Sequence, residues 1–363
     1  MSPRPTASRG SATSALVARV NTVIPHLDGH LLLLPGLRVL LALYAPLLLG
    51  MAIARPHNLV PVAVGALMGA LVDPGCSTQR RALTITATAL LGSIAFAVGD
   101  LAGQVPALAV AFVTLVAFAS GFAPEFGAAG IRGSLYVVTS ALLGVASTGV
   151  NPGFITAPGL LLGGAWALLL AVGPFRQQGA PVCGPVLRAR RLTDNLREHL
   201  MLRTAIGRHA ARTAVVVGFA MSLSFALQRP AISWIAGAAI AVLHPRASAH
   251  GVRGVRLVTG TLVGGIAAVL LADALGPTSV LLLALAPALF LSVSLRAVDY
   301  VAYTIASTAF MLALSAFTMR MGWGLFDARI VDTALGVTLA LTVARFTMPL
   351  GERDRLAAEI LAR

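Results

Sequence analysis

Residues 82–99 read ALTITATALLGSIAFAVG, eighteen residues without a charge, bounded by Arg81 and Asp100. As a helix rising about 1.5 Å per residue they cover about 27 Å, close to the roughly 30 Å of hydrocarbon in a bilayer. The strict alternation of a barrel strand is absent. Working outward, similar blocks recur along the chain between short polar breaks. The first six predicted spans are Pro35–Ala54, Leu59–Val72, Ala82–Gly99, Val105–Phe122, Ile131–Ser147 and Ala157–Pro174. The second six are Ala210–Leu227, Ala231–Leu243, Leu257–Ala272, Val280–Leu295, Val298–Thr318 and Ile330–Met348.

Composition agrees with this reading. Of 363 residues, 57% are apolar and 11% charged, and the mean hydropathy is +0.87. Lipid-facing helices accommodate that apolar excess, whereas a soluble domain leaves it against water. The net charge of +14 does not point to nucleic acid, because the arginines sit between apolar blocks rather than on one soluble face. No lysine occurs, so no phosphate-cradling loop of the GxxxxGK[ST] form is present.

Arginine placement sets the orientation. With the N-terminus inside, the cytoplasmic segments hold Arg4, Arg9, Arg19, Arg80, Arg81, Arg132, Arg246, Arg253, Arg256, Arg296 and the dense run from Arg176 to Arg208. They also hold Arg353, Arg355 and Arg363, while the opposite side receives Arg55, Arg229, Arg320 and Arg329. The positive-inside rule then predicts a multi-pass protein of the plasma (inner) membrane with both termini cytoplasmic. Residues 1–33 lack a small-residue cleavage site after a charged and apolar run, and read as an uncleaved tail. Cys76 and Cys183 both fall in segments expected in the cytoplasm, where no disulfide is expected.

The chain repeats. Arg38 pairs with Arg212, Arg55-Pro56 with Arg229-Pro230, Asp100 with Asp273 and Pro174 with Pro349. Arg81-Ala-Leu-Thr84-Ile-Thr86 pairs with Arg256-Leu-Val-Thr259-Gly-Thr261, and partners throughout stand 173 to 175 residues apart. Each half starts and ends inside, so the repeat is parallel, related by an axis along the membrane normal. The expected fold is therefore an all-α membrane protein of about twelve transmembrane helices, as two parallel six-helix repeats. Residues 1–33 form an N-terminal tail, 34–175 the first repeat, 176–208 a basic linker, 209–349 the second repeat and 350–363 a C-terminal tail.

No catalytic constellation or metal-ligand cluster is visible, so the chain is expected not to be an enzyme and to need no cofactor. No acidic residue falls at the centre of a predicted span; Asp299 and Asp332 come nearest, and proton coupling gains no support. The second span of each half is short for a bilayer, and short spans at equivalent places in two repeats point to a translocation site. Each is followed by a loop ending in arginine and then a threonine-rich helix start. Free N–H groups, threonine hydroxyls and an arginine fork together suit an anion. The plainer alternative is that Arg81 and Arg256 anchor their helices and the threonines bond to backbone.

The stretch Arg256-Leu-Val-Thr259-Gly260-Thr261-Leu-Val-Gly264 resembles the R-x-x-x-G-T-x-x-G pattern of the fusaric acid resistance protein-like (FUSC) family. Flanking features resemble it in order: His209-Ala-Ala-Arg212-Thr213, Trp234 before His244-Pro245, Asp299-Tyr300, and Arg329-Ile-Val-Asp332-Thr333-Ala-Leu-Gly336. They cover about 209–349; the first half joins only through the repeat, since Ile85 replaces the motif glycine. The resemblance implies a membrane transporter-like protein akin to exporters of fusaric acid and aromatic carboxylic acids. Plant aluminium-activated malate channels look like distant relatives. Larger members carry a substantial cytoplasmic domain, where this chain has only residues 176–208.

The candidate substrate-binding residues are Arg256, Thr259, Thr261, Arg81, Thr84, Thr86, Arg212, Arg38, Trp234, Asp299, Tyr300 and Asp332. The expected function is export of small organic, including aromatic, acids. Its rivals are a passive anion channel with a pore between the halves, a major facilitator and a non-transporting membrane scaffold. Gly69 and Asp73 start a facilitator loop signature from which Pro74-Gly75-Cys76 departs. Expected partners are the lipid bilayer and a small organic anion, with no nucleic acid; a homo-oligomer is compatible with this reading.

Overall fold

The computed structural model describes residues 29–53, 56–75, 77–149, 153–175, 200, 202, 204–229, 231, 233–243, 250–276, 285–295, 300–315 and 323–347. Among them are twelve α-helices. In the first half these are α1 (Gly29–Ala52), α2 (Pro56–Val72), α3 (Thr78–Gly103), α4 (Pro106–Ser120), α5 (Gly127–Ser147) and α6 (Gly153–Val172). A 3-10 turn, Ala123–Phe126, joins α4 to α5. In the second half they are α7 (Ala205–Ala226), α8 (Ser233–Val242), α9 (His250–Leu275), α10 (Ala286–Leu295), α11 (Tyr300–Ser315) and α12 (Trp323–Thr347). No strand occurs among the described residues.

The helices are turned inside out relative to a soluble bundle. Along α3, Ala89, Gly92, Ser93 and Gly99 are buried while Leu90, Leu91, Ile94 and Leu101 are exposed. Small residues let helices approach closely, and large aliphatic ones face outward, as lipid contact requires. Seven helical segments are long and apolar enough to cross a membrane: those within α1, α3, α5, α6, α7 and α9, and α4 with its following turn. The protein is a multi-pass membrane protein. α2, α8 and α11 are shorter and also apolar.

Packing follows one scheme in both halves. The pairs α1–α2, α2–α6, α3–α6 and α3–α5 recur as α7–α8, α8–α12, α9–α12 and α9–α11. Across the halves, α4 packs on α7 and α10 packs on α1. Glycines mark the crossings. A Cβ on Gly163 collides with the Val62 carbonyl and the Ala66 nitrogen; one on Gly336, 173 residues on, collides with the Ile235 carbonyl and approaches the Ala239 nitrogen. Between halves, Gly121 meets Ala210 and Gly36 meets Ser294 and Phe290.

Two helices differ from their predicted spans in ways that matter. α9 starts at His250 rather than Leu257, so Arg253 lies in its first turn and not in a loop. α12 starts at Trp323 rather than Ile330, so Asp332 sits nine residues inside the helix and is fully buried. The predicted span starts at Ile330, so Asp332 stands about 13 Å along its helix rather than near its start. Hydropathy locates the hydrocarbon-matched core of a helix, and helix continues through charged flanking turns that the index excludes.

Candidate functional site

The first half closes its polar end with a satisfied ion cluster. Asp73 follows the last residue of α2, and its carboxylate is wholly buried. Arg81, 1% exposed, donates from Nη2 to Asp73 Oδ2 at 2.7 Å and from Nε to Oδ1 at 3.0 Å, and its Nη1 reaches the Phe175 carbonyl at 3.1 Å. Arg38 on α1 pairs with the same carboxylate and donates to the Ala70 carbonyl at 2.8 Å. Arg132 on α5 donates to the Asp73 carbonyl at 2.8 Å. Four elements converge on one aspartate, and the arrangement reads as a lock.

At the corresponding end of the second half no carboxylate meets the arginine among the described residues. Arg253 stands three residues into α9, as Arg81 stands three into α3, and both helices run 26 residues. Arg253 places its guanidinium 5.0 Å above the Tyr300 ring, a cation–π contact. Its Nε is buried and has no hydrogen-bond partner among the described residues. Arg253 lines a cavity of about 100 Å³ between the halves, with Ser120, Ser134 and Leu135 from one half and His209, Thr213 and Ile240 from the other. That is room for a few waters or the head of a small carboxylate. The Thr213 hydroxyl is already committed to the His209 carbonyl at 2.9 Å.

At the opposite end of α7 lies a second charged group. Arg229 donates from Nε to Asp332 Oδ1 at 2.6 Å and from Nη2 to the Ala328 carbonyl at 3.3 Å. Arg329 lays its guanidinium 4.9 Å above the Trp234 ring. Asp332 Oδ2 is buried without a partner. The Arg229 side chain is 21% exposed and that of Asp332 0%, so the group runs from an accessible arginine to a sealed carboxylate.

The family model described as fusaric acid resistance protein-like matches residues 216–343. Over this stretch the chain is similar to the fusaric acid resistance protein-like family. The match spans both open features, Arg253 with Tyr300 and Arg329 with Asp332, and stops short of the first-half lock. No curated protein and no solved structure matches the chain.

The structure distributes the candidate residues unevenly. Arg256 and Thr259 are exposed on α9, whereas Thr261 is fully buried and its hydroxyl makes no hydrogen bond. Tyr300 is under Arg253 and Trp234 is under Arg329; Asp332 is bound by Arg229. Arg212 is buried on α7. In the first half, Arg38 and Arg81 join at Asp73, Thr86 is exposed, and Thr84 supplies its carbonyl to the Thr88 hydroxyl at 2.6 Å. Asp299, His244, Cys76 and Cys183 lie outside the described residues. The sequence reading placed Arg253 in a loop and took Asp73 only as part of another family's signature. Its nearest signal for Arg253 was its place three residues before Arg256, one helical turn away.

Proposed function

We propose that this fusaric acid resistance protein-like membrane protein exports small organic anions, aromatic carboxylates among them, from the cytoplasm. The family description names fusaric acid, an aromatic monocarboxylic acid. The observation that carries the reading is Arg253, a guanidinium with a buried, unbonded Nε in a cavity between the halves. A planar fork with uncommitted donors in an apolar setting suits a carboxylate, and an ammonium does not replace it. The scheme extends to twelve spans in two parallel six-helix repeats with both termini cytoplasmic, supported by helix pairs that recur six positions on and by the Gly163 and Gly336 crossings. The Arg253 cavity then opens toward the arginine-rich side, where an exported acid is collected, and the protein moves its substrate without altering it.

Purified protein in liposomes should carry labelled benzoate but not the neutral benzamide. Arg253→Lys should lower the flux while leaving membrane abundance unchanged. Equal benzoate and benzamide fluxes, or none above protein-free liposomes with folded protein present, would refute the export reading.

A further inference from the structure

The end of the bundle remote from the Arg253 cavity carries charges that neither the lock nor that cavity uses. Trp234 lies in the first turn of α8 and Arg329 six residues into α12, with the guanidinium face on the indole at 4.9 Å. Stacking engages the face of a guanidinium and leaves its N–H edge free. No donor of Arg329 forms a hydrogen bond among the described residues. Two guanidiniums, Arg229 and Arg329, face the single carboxylate of Asp332. The trio therefore carries one net positive charge around a side chain that is wholly buried. The surplus positive charge sits on the partly exposed guanidiniums beside that carboxylate, and one bound monoanion cancels it.

We infer that Arg329, backed by Trp234, is a second anion station, built for a monocarboxylate. It rests on the export reading for its place on the route, while binding is testable without transport. Arg329 supplies two parallel donors to the carboxylate, and the partly exposed Arg229 adds positive potential at the entrance. Asp332 has the opposite role. Its open Oδ2 lies one helical turn from Arg329 and competes with the ligand for the guanidinium, so the anion is held and can still leave.

The chain has three tryptophans. Replacing Trp166 and Trp323 by Phe in purified, nanodisc-embedded protein leaves Trp234 as the only reporter. Benzoate titration should change its emission saturably, and benzamide or chloride at the same concentration should not. Arg329→Gln should weaken benzoate about tenfold to a hundredfold, the loss of a charge-assisted hydrogen bond. Arg329→Lys, which keeps the charge and loses the fork, should weaken it less and serves if the glutamine variant does not fold. Asp332→Asn should tighten benzoate, because it removes the competitor; a merely structural aspartate has no reason to do so. No saturable response to benzoate, an equal response to chloride, or weaker binding in Asp332→Asn would each overturn the station. Benzoate flux that fails while the Trp234 response persists refutes export and leaves the station; intact flux without the response does the reverse.

Discussion

Arg81 and Arg253 stand at the same position in helices of equal length and meet opposite surroundings. Arg81 has Asp73 at its side and a carbonyl beyond it, and every direction it points in holds an acceptor. Arg253 has a tyrosine face on one side and a cavity on the other. The difference lies in the residue ending the second helix of each half. Asp73 follows the end of α2 and supplies a carboxylate, whereas Leu243 follows the end of α8 and supplies none. With helix packing alike in both halves, the arginine beside a carboxylate is fully bonded and the one without is not. The first half binds its arginines to one carboxylate, and in the second half the Arg253 Nε has no partner among the described residues.

The largest expected effect comes from undoing the lock. Asp73→Ala leaves the buried guanidiniums of Arg38 and Arg81 without their partner, a loss of about 3 to 5 kcal/mol. Thermal unfolding in detergent should fall steeply, with a much smaller fall for Asp273→Ala, whose side chain is exposed. Equal falls would mean that Asp73 is an ordinary end-of-helix acid.

The contrast also explains what was legible beforehand. The helices among the described residues and their order are readable because lipid imposes one hydropathy rule on every apolar segment. The lock was not readable: Arg38 and Asp73 are 35 residues apart, Arg229 and Asp332 are 103, and nothing local ties either pair. Depth was misread for Arg253 and Asp332 for a different reason. Their helices run about two turns beyond the apolar core, and charged residues in those turns look like loop.

Next in size are the crossings. Gly163→Ala and Gly336→Ala each force a methyl against a carbonyl of the facing helix, a cost of about 1 to 3 kcal/mol. Both should lower the unfolding temperature by similar amounts. A large effect in one and none in the other would break the equivalence of the halves.

A smaller effect separates two arginines of one helix. Arg253→Ala should cut benzoate flux about tenfold or more, the weight of a charge-assisted hydrogen bond. Arg256→Ala, exposed on the outer side of α9, should stay within about twofold, as a snorkelling side chain does. The reverse order of losses would return the site to Arg256. Smallest is a matter of sidedness alone: an impermeant thiol reagent on intact cells should leave Cys76 and Cys183 unlabelled until lysis, and early labelling of either would invert the topology.

The central claim is that a carboxylate occupies the cavity beside Arg253. Ser134 lines that cavity from the first half. With Cys76 and Cys183 replaced by Ser, a Ser134→Cys variant offers one thiol there, and its rate of modification by a negatively charged thiosulfonate reads occupancy directly. Benzoate should slow the reaction in a saturable way, benzamide should not, and Arg253→Gln should abolish the protection. A rate that benzoate leaves unchanged, or protection that survives Arg253→Gln, would contradict the account.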